Sequence, residues 1–223
     1  MMTQRRTLLA AAGGLLATGP ALAQSAAPAP DAPPPSDAPP PSDAPPAAAE
    51  DQRMTERAAG RTDAPMRVLE FFSLTCGHCA AFHRDSWPRV RAELVETGRV
   101  RIVWRDFPLD QVALRAHAVA RAFPPEHYAA FLTALFSTQD RWAHARGADH
   151  KAEVGRIAAM AGMSSAVFEA AWTDDGLARA ILLEAQAGAG EFNVQATPTF
   201  VFGRRVVSGN IGFDRFAREA ATP

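Results

Sequence analysis

Residues 68–83 read Val-Leu-Glu-Phe-Phe-Ser-Leu-Thr-Cys-Gly-His-Cys-Ala-Ala-Phe-His. Val68 to Phe72 has the length and β-rich composition of a buried strand, and Ser73-Leu74-Thr75 is a short link. From Ala80 onward the pattern is helical. Between link and helix stand the only cysteines of the chain, Cys76 and Cys79. Two cysteines at i and i+3 on the first turn of a helix can close a small disulfide ring. They also sit where unpaired backbone N–H groups and the positive end of the helix dipole favour a thiolate. A reversible dithiol/disulfide pair is the leading reading of this stretch.

Working outward, 223 residues with 48% hydrophobic content suit one domain carrying a large insertion. A net charge of −1 gives no argument for nucleic acid or an anionic membrane surface as partner. Two cysteines are too few for a disulfide-stapled scaffold. The N-terminus reads as an export signal over residues 1–23. Arg5-Arg6 supply its charge, Thr7 to Thr18 its apolar run and Ala21-Leu22-Ala23 a cleavage motif. The apolar run is short and interrupted by Gly13-Gly14, unlike a permanent membrane span. Either the general secretory route or the twin-arginine route is open to it. Both lead to an oxidising compartment, expected to be the periplasm.

Residues 24–60 are expected to be a linker. The segment Asp-Ala-Pro-Pro-Pro-Ser occurs at Asp31 to Ser36 and again at Asp37 to Ser42, and such a proline-rich run forms a semi-extended spacer without a core. After the cysteines one helix is expected to about Thr97, kinked at Pro88 and stopped at Gly98. A second strand follows at Val100 to Trp104, making a right-handed βαβ unit. Residues 111–190 are a helical block with breaks at Pro124-Pro125, Gly162 and Asp174-Asp175-Gly176, decaying into Gly188-Ala189-Gly190. Thr199 to Phe202 and Arg205 to Val207 flank Gly203-Arg204 as a hairpin, and Asp214 to Ala221 is a final helix.

This order, with C-x-x-C after the first strand and Thr197-Pro198 before the third, resembles the thioredoxin fold. The stretches VLEFFSLTCGHC and ATPTFVFGRRVVSG resemble the DsbA-like family of periplasmic thiol-disulfide oxidoreductases, over about Met66 to Ala221. The resemblance implies an α/β thioredoxin fold formed by residues 61–110 and 191–223, with 111–190 as an inserted helical domain.

Cys76, at the helix start, is the expected nucleophile; cysteines so placed titrate at roughly 3.5–7.5. Against a free cysteine near 8.5, a drop of three units is about 4 kcal/mol in favour of the thiolate. Stabilising the reduced thiolate makes the disulfide a stronger oxidant. Cys79, one turn inward, is the resolving thiol. His78 is expected to give a hydrogen bond or partial positive charge to the Cys76 sulfur. By resemblance, Thr197-Pro198 is a cis bond opposite the cysteines that exposes the Thr197 backbone to a substrate strand. Glu70 interrupts an apolar strand; buried there, its carboxyl is raised by desolvation and can relay the Cys79 proton.

The implied activity is transfer of the Cys76–Cys79 disulfide to reduced or misoxidised exported proteins, with reoxidation by a membrane quinone-linked thiol oxidase. No organic cofactor and no metal are implied, and a monomer is expected. A disulfide isomerase or substrate-specific dithiol reductase of the same fold is the alternative. A metal-binding module using Cys76, Cys79 and His83 is a further one, although three candidate ligands leave a structural zinc site incomplete. His117, His127, His144 and His150 read as solvated or capping residues.

Overall fold

The computed structural model describes residues 51–222. The export signal read at 1–23 and the linker before residue 51 lie outside the described residues. A single turn at Gln52–Met54 precedes β1 (Arg57–Ala59), β2 (Met66–Phe72), α1 (Gly77–Asp85), α2 (Trp87–Val90) and β3 (Val100–Asp106). The helical block follows as α3 (Gln111–Arg121), α4 (Pro125–Ser137), α5 (Gln139–Trp142), α6 (His150–Met160), α7 (Ser165–Trp172) and α8 (Asp175–Phe192). Then come β4 (Thr199–Phe202), β5 (Arg205–Ser208) and α9 (Phe213–Ala221). Among the described residues the strands form one sheet, in the order β1-β3-β2-β4-β5. Strands β2 and β3 are parallel, with Val68 opposite Ile102, and β4 runs antiparallel to β2, with Glu70 opposite Phe200. Both halves of the thioredoxin fold are present, with the helical block between them.

The central strands are buried on both faces, and alternation sorts their side chains into two layers. Val68, Phe72, Ile102, Trp104, Phe200 and Phe202 join a core with residues of α1, α2, α4 and α9. Leu69, Phe71, Val103 and Val201 point the other way, with Val194 and Phe192 against them. Glu70 falls between Val68's position and Phe72's on the first of these faces, so parity alone aims its carboxylate at the layer that carries the cysteines.

Three expectations are corrected. The linker read as far as residue 60 stops short of it, because Arg57–Ala59 pair with Ile102 to Trp104 as an edge strand. Arg57 is 2% exposed and its guanidinium donates to the carbonyls of Arg121 and Phe123. It thereby caps the end of α3 with a buried cation. The single helix expected to Thr97 is broken at Ser86 (φ −111, ψ −41) and continues through α2 into a wide turn, Arg91–Val95. Pro88 has no N–H to donate to the Arg84 carbonyl, so the break falls there. Gly98, at φ 76, then ends it. Finally, α8 does not decay at Gly188 but runs to Phe192, ending on Asn193 in the left-handed region (φ 51). A Cβ at Gly188 would stand 2.4 Å from Cε1 of Phe71, so the glycine lets the helix lie directly on the sheet.

Candidate active site

Cys76 is the N-cap residue of α1, with extended backbone angles (φ −80, ψ 117). Its carbonyl accepts the first helical bond from Ala80 N at 3.1 Å, and its own N–H donates to Ser73 O at 3.1 Å. The side chain is half-buried, and both cysteines are free thiols in this structure. The Cys76 sulfur is held down to about 5. The largest cause is the Cys79 thiol donating to it; burial works in the opposite direction. The Thr197 hydroxyl, otherwise without a partner, and the backbone N–H groups of Cys79 and His78 add to the lowering. The same helix turn that exposes Cys76 hides Cys79, which is 0% exposed. Its thiol is pushed well above the ordinary range, first by burial, then by the neighbouring Cys76 sulfur and by the charge of Glu70.

The two halves of the site lie 121 residues apart in the chain and meet through the β2–β4 pairing. The Thr197-Pro198 peptide bond is cis. Cys76 Sγ donates to Thr197 O at 3.3 Å, so the backbone of Thr197 forms the wall against which the sulfur stands. Beneath them Glu70, 0% exposed, binds His83 of α1 (Oε1 to Nε2, 2.8 Å). His83 stacks on Phe136 with ring centroids 4.3 Å apart. The second carboxylate oxygen, Oε2, is buried without a partner.

The structure therefore brings Cys76, Cys79, Glu70, Thr197 and Pro198 together. His78 differs from its expectation. Its backbone N–H faces the Cys76 sulfur, whereas its side chain is exposed to solvent. His83, considered above as a metal ligand, is instead the partner of Glu70. Among the described residues no group of three or more His, Cys, Asp or Glu is placed to hold a metal ion.

Reading the sequence missed a second polar layer. His117 is not solvated but 0% exposed. Its Nε2 accepts from Leu74 N at 3.4 Å, which leaves the hydrogen on Nδ1, and Nδ1 donates to Asp106 Oδ1 at 2.8 Å. Asp106 also accepts from the Arg121 guanidinium and from Tyr128 OH at 2.8 Å. Burial would raise the Asp106 carboxyl; the charge of Arg121 and the hydrogen bonds from His117 and Arg121 outweigh it and hold the group far below the usual carboxylate range. Gln139 of α5 reaches across to the carbonyls of Leu74 and Cys76, and Thr75 OH donates to Asp110 at 2.6 Å. The contacts of the layer join positions 11 to 65 residues apart, beyond the spacing of one helix turn or strand pair, so no local pattern reveals them.

Comparison with known proteins places this geometry in context. A family profile described as Thioredoxin matches residues 52–219. A Rickettsia typhi protein that carries the name of a protein-disulfide oxidoreductase is 24% identical over 160 residues, covering 71% of this chain and 58% of that protein. The chain thus spans less than two thirds of the length of that relative. Among solved structures, a variant of alpha-DsbA1 from Wolbachia pipientis superposes with a TM-score of 0.69 at 26% identity, covering 75% of this chain and 89% of the other. Oxidised BdbD from Bacillus subtilis superposes with a TM-score of 0.64 at 18% identity, covering 74% and 90%.

Proposed function

Because this chain belongs to the thioredoxin family, we propose that it is an exported thiol-disulfide oxidoreductase that donates its Cys76–Cys79 disulfide to cysteine-containing proteins. The observation that carries this reading is the contrast between the two thiols: Cys76 lies at about 5 and Cys79 well above an ordinary cysteine. A low-pKa sulfur at the exposed position is a good leaving group, and its stability in the reduced protein drives the disulfide toward release.

In the oxidised protein a client thiolate attacks Cys76 Sγ. The Cys76–Cys79 bond breaks and its electron pair leaves on Cys79. That buried thiolate takes up a proton, for which Glu70, a carboxyl buried close enough for its charge to act on Cys79, is the relay we assign. A second client thiolate then attacks the client sulfur of the mixed disulfide, and Cys76 departs as a stable thiolate. The client gains one disulfide and gives up two protons: one is taken up at Cys79 and the other goes to solvent, leaving the reduced protein with a Cys79 thiol and a Cys76 thiolate. When no second client thiol is available, Cys79 attacks Cys76 and releases the client unchanged. The backbone of Thr197, just ahead of β4 and with its carbonyl oxygen 3.3 Å from the reacting sulfur, is the edge on which the client chain would lie.

The N-terminal Arg5-Arg6, apolar run and Ala21-Leu22-Ala23 support export to the periplasm. Among the described residues no helix is long and apolar enough to cross a membrane. Clients would be reduced or misoxidised exported proteins, and recycling of the dithiol would fall to a membrane quinone-linked thiol oxidase, with the protein working as a monomer. The test is the equilibrium of the Cys76–Cys79 couple against glutathione, together with oxidation of a reduced client protein. The expected couple is well above the thioredoxin value of about −270 mV. A couple at or below that value would make the protein a reductant and reject the donor reading.

A further inference from the structure

In the Ser73-Leu74-Thr75 link the peptide groups of Leu74 are met from the helical block, and the same block reaches one carbonyl further, to Cys76. Leu74 is 0% exposed, so its N–H and carbonyl need partners wherever they come from. His117 takes the first and Gln139 the second, at 3.4 and 2.7 Å. The Cys76 carbonyl is different. It already holds its helical bond from Ala80 N, yet Gln139 Nε2 makes a second bond to it at 3.1 Å. Both partners of Nε2 are carbonyls, which fixes the amide orientation, since only the NH2 end can donate. Gln139 is itself 4% exposed and stands at the start of α5.

Resting on the function proposed above, we propose that Gln139 is a positioning residue for Cys76. It clamps the peptide carbonyls on either side of Thr75 and so fixes the backbone from which the reactive sulfur projects. The orientation of the Cys76 peptide decides whether Sγ meets the N–H groups of His78 and Cys79 and the Thr197 wall. The inserted helices thus act on the reaction through one amide. Losing that amide frees the Cys76 carbonyl to turn, which moves the sulfur off the N–H groups it faces and disfavours the thiolate.

The experiment compares Gln139→Met, which keeps the length but has no donor, with Thr138→Ala. Thr138 bonds the Ala134 carbonyl at 2.7 Å, so its loss loosens the same α4–α5 joint and spares the amide. Thiolate absorbance against pH is read on reduced protein without substrate, so the outcome does not depend on exchange activity. The glutathione equilibrium is read beside it. Gln139→Met should titrate higher at Cys76 and shift the equilibrium toward the disulfide at least threefold, while Thr138→Ala leaves both in place. Should Gln139→Met fail to fold, Gln139→Leu is read the same way. A wild-type titration in the Gln139 variant, or an equal shift in Thr138→Ala, would overturn the assignment.

Discussion

Cys76 is an acid whose strength depends on its neighbours, and that makes its effect on stability a function of pH. Its folded value of about 5 lies below that of an unfolded cysteine, so the reduced protein is stabilised in full only above the unfolded value. The gain fades as pH falls through about 5. At pH 7, with allowance for solvent screening of a half-buried sulfur, it is about 2 kcal/mol. Denaturant unfolding of the reduced protein between pH 4 and 8 should show this rise, and the oxidised protein or Cys76→Ser should lack it. At Cys79 burial is the main cause of the raised value and Glu70 a lesser one. Glu70→Gln should therefore lower the Cys79 titration only part of the way, measured by alkylation rate against pH in a Cys76→Ala background. Resolution of a Cys76 mixed disulfide by Cys79 should slow by about tenfold or more in the same variant, the low end of a proton-transfer contribution. Much of this site was legible in the sequence. C-x-x-C, an acid two residues before the end of an apolar strand, and Thr-Pro before another strand are all local patterns. His83 was noticed for its spacing, four residues after Cys79, but read as a ligand because its partner is on a facing strand. Gln139 and His117 had no local signal at all, since a buried polar residue is explained only by what it touches.

At the scale of the element, α8 shows why composition misled. Glycines at 188 and 190 look like a fraying end, yet they serve different surroundings. Gly188 is buried against Phe71, which is itself held by Phe107 and Phe192, whereas a Cβ at Gly190 would meet nothing within 4 Å. Gly188→Ala should destabilise by about 1–3 kcal/mol through overpacking, despite the better helix propensity of alanine. Gly190→Ala should stabilise by up to about 1 kcal/mol, because propensity acts there alone. Paired denaturation midpoints separate the two effects, and equal signs would show that α8 does not lie on the sheet as described. The strands that carry the site were legible from their β-rich runs. Strand β1 was not, because three residues beginning with arginine carry no periodicity; it is held by pairing with β3 and by Arg57 beneath the end of α3.

For the molecule as a whole, the buried Asp106 is a junction. It ends β3, binds His117 and Arg121 of α3 and Tyr128 of α4, and through Arg121 reaches the carbonyls of Arg53 and Thr55 ahead of β1. Asp106→Asn takes from the buried Arg121 guanidinium the more deeply buried of its two carboxylate partners, leaving Glu184 at 3.2 Å, and should destabilise by about 3 kcal/mol, read from denaturant unfolding. One continuous core also runs from sheet residues such as Phe72 and Phe200 to Phe131, Val154 and Phe168 of the helical block. Sheet and block should therefore unfold together. Tryptophan fluorescence, reporting Trp87, Trp104, Trp142 and Trp172, should coincide with far-UV circular dichroism in a single transition. The topology also orders events in time. Strand β4 follows β2 in the chain by the whole length of the helical block but pairs beside it in the sheet. A chain threading out in order, amino end first, shows its Cys-Gly-His-Cys turn to the surroundings long before Thr197 arrives. Until β4 seats, that sulfur has its neighbours on α1 but not Thr197, and the returning strand closes the far side of the site.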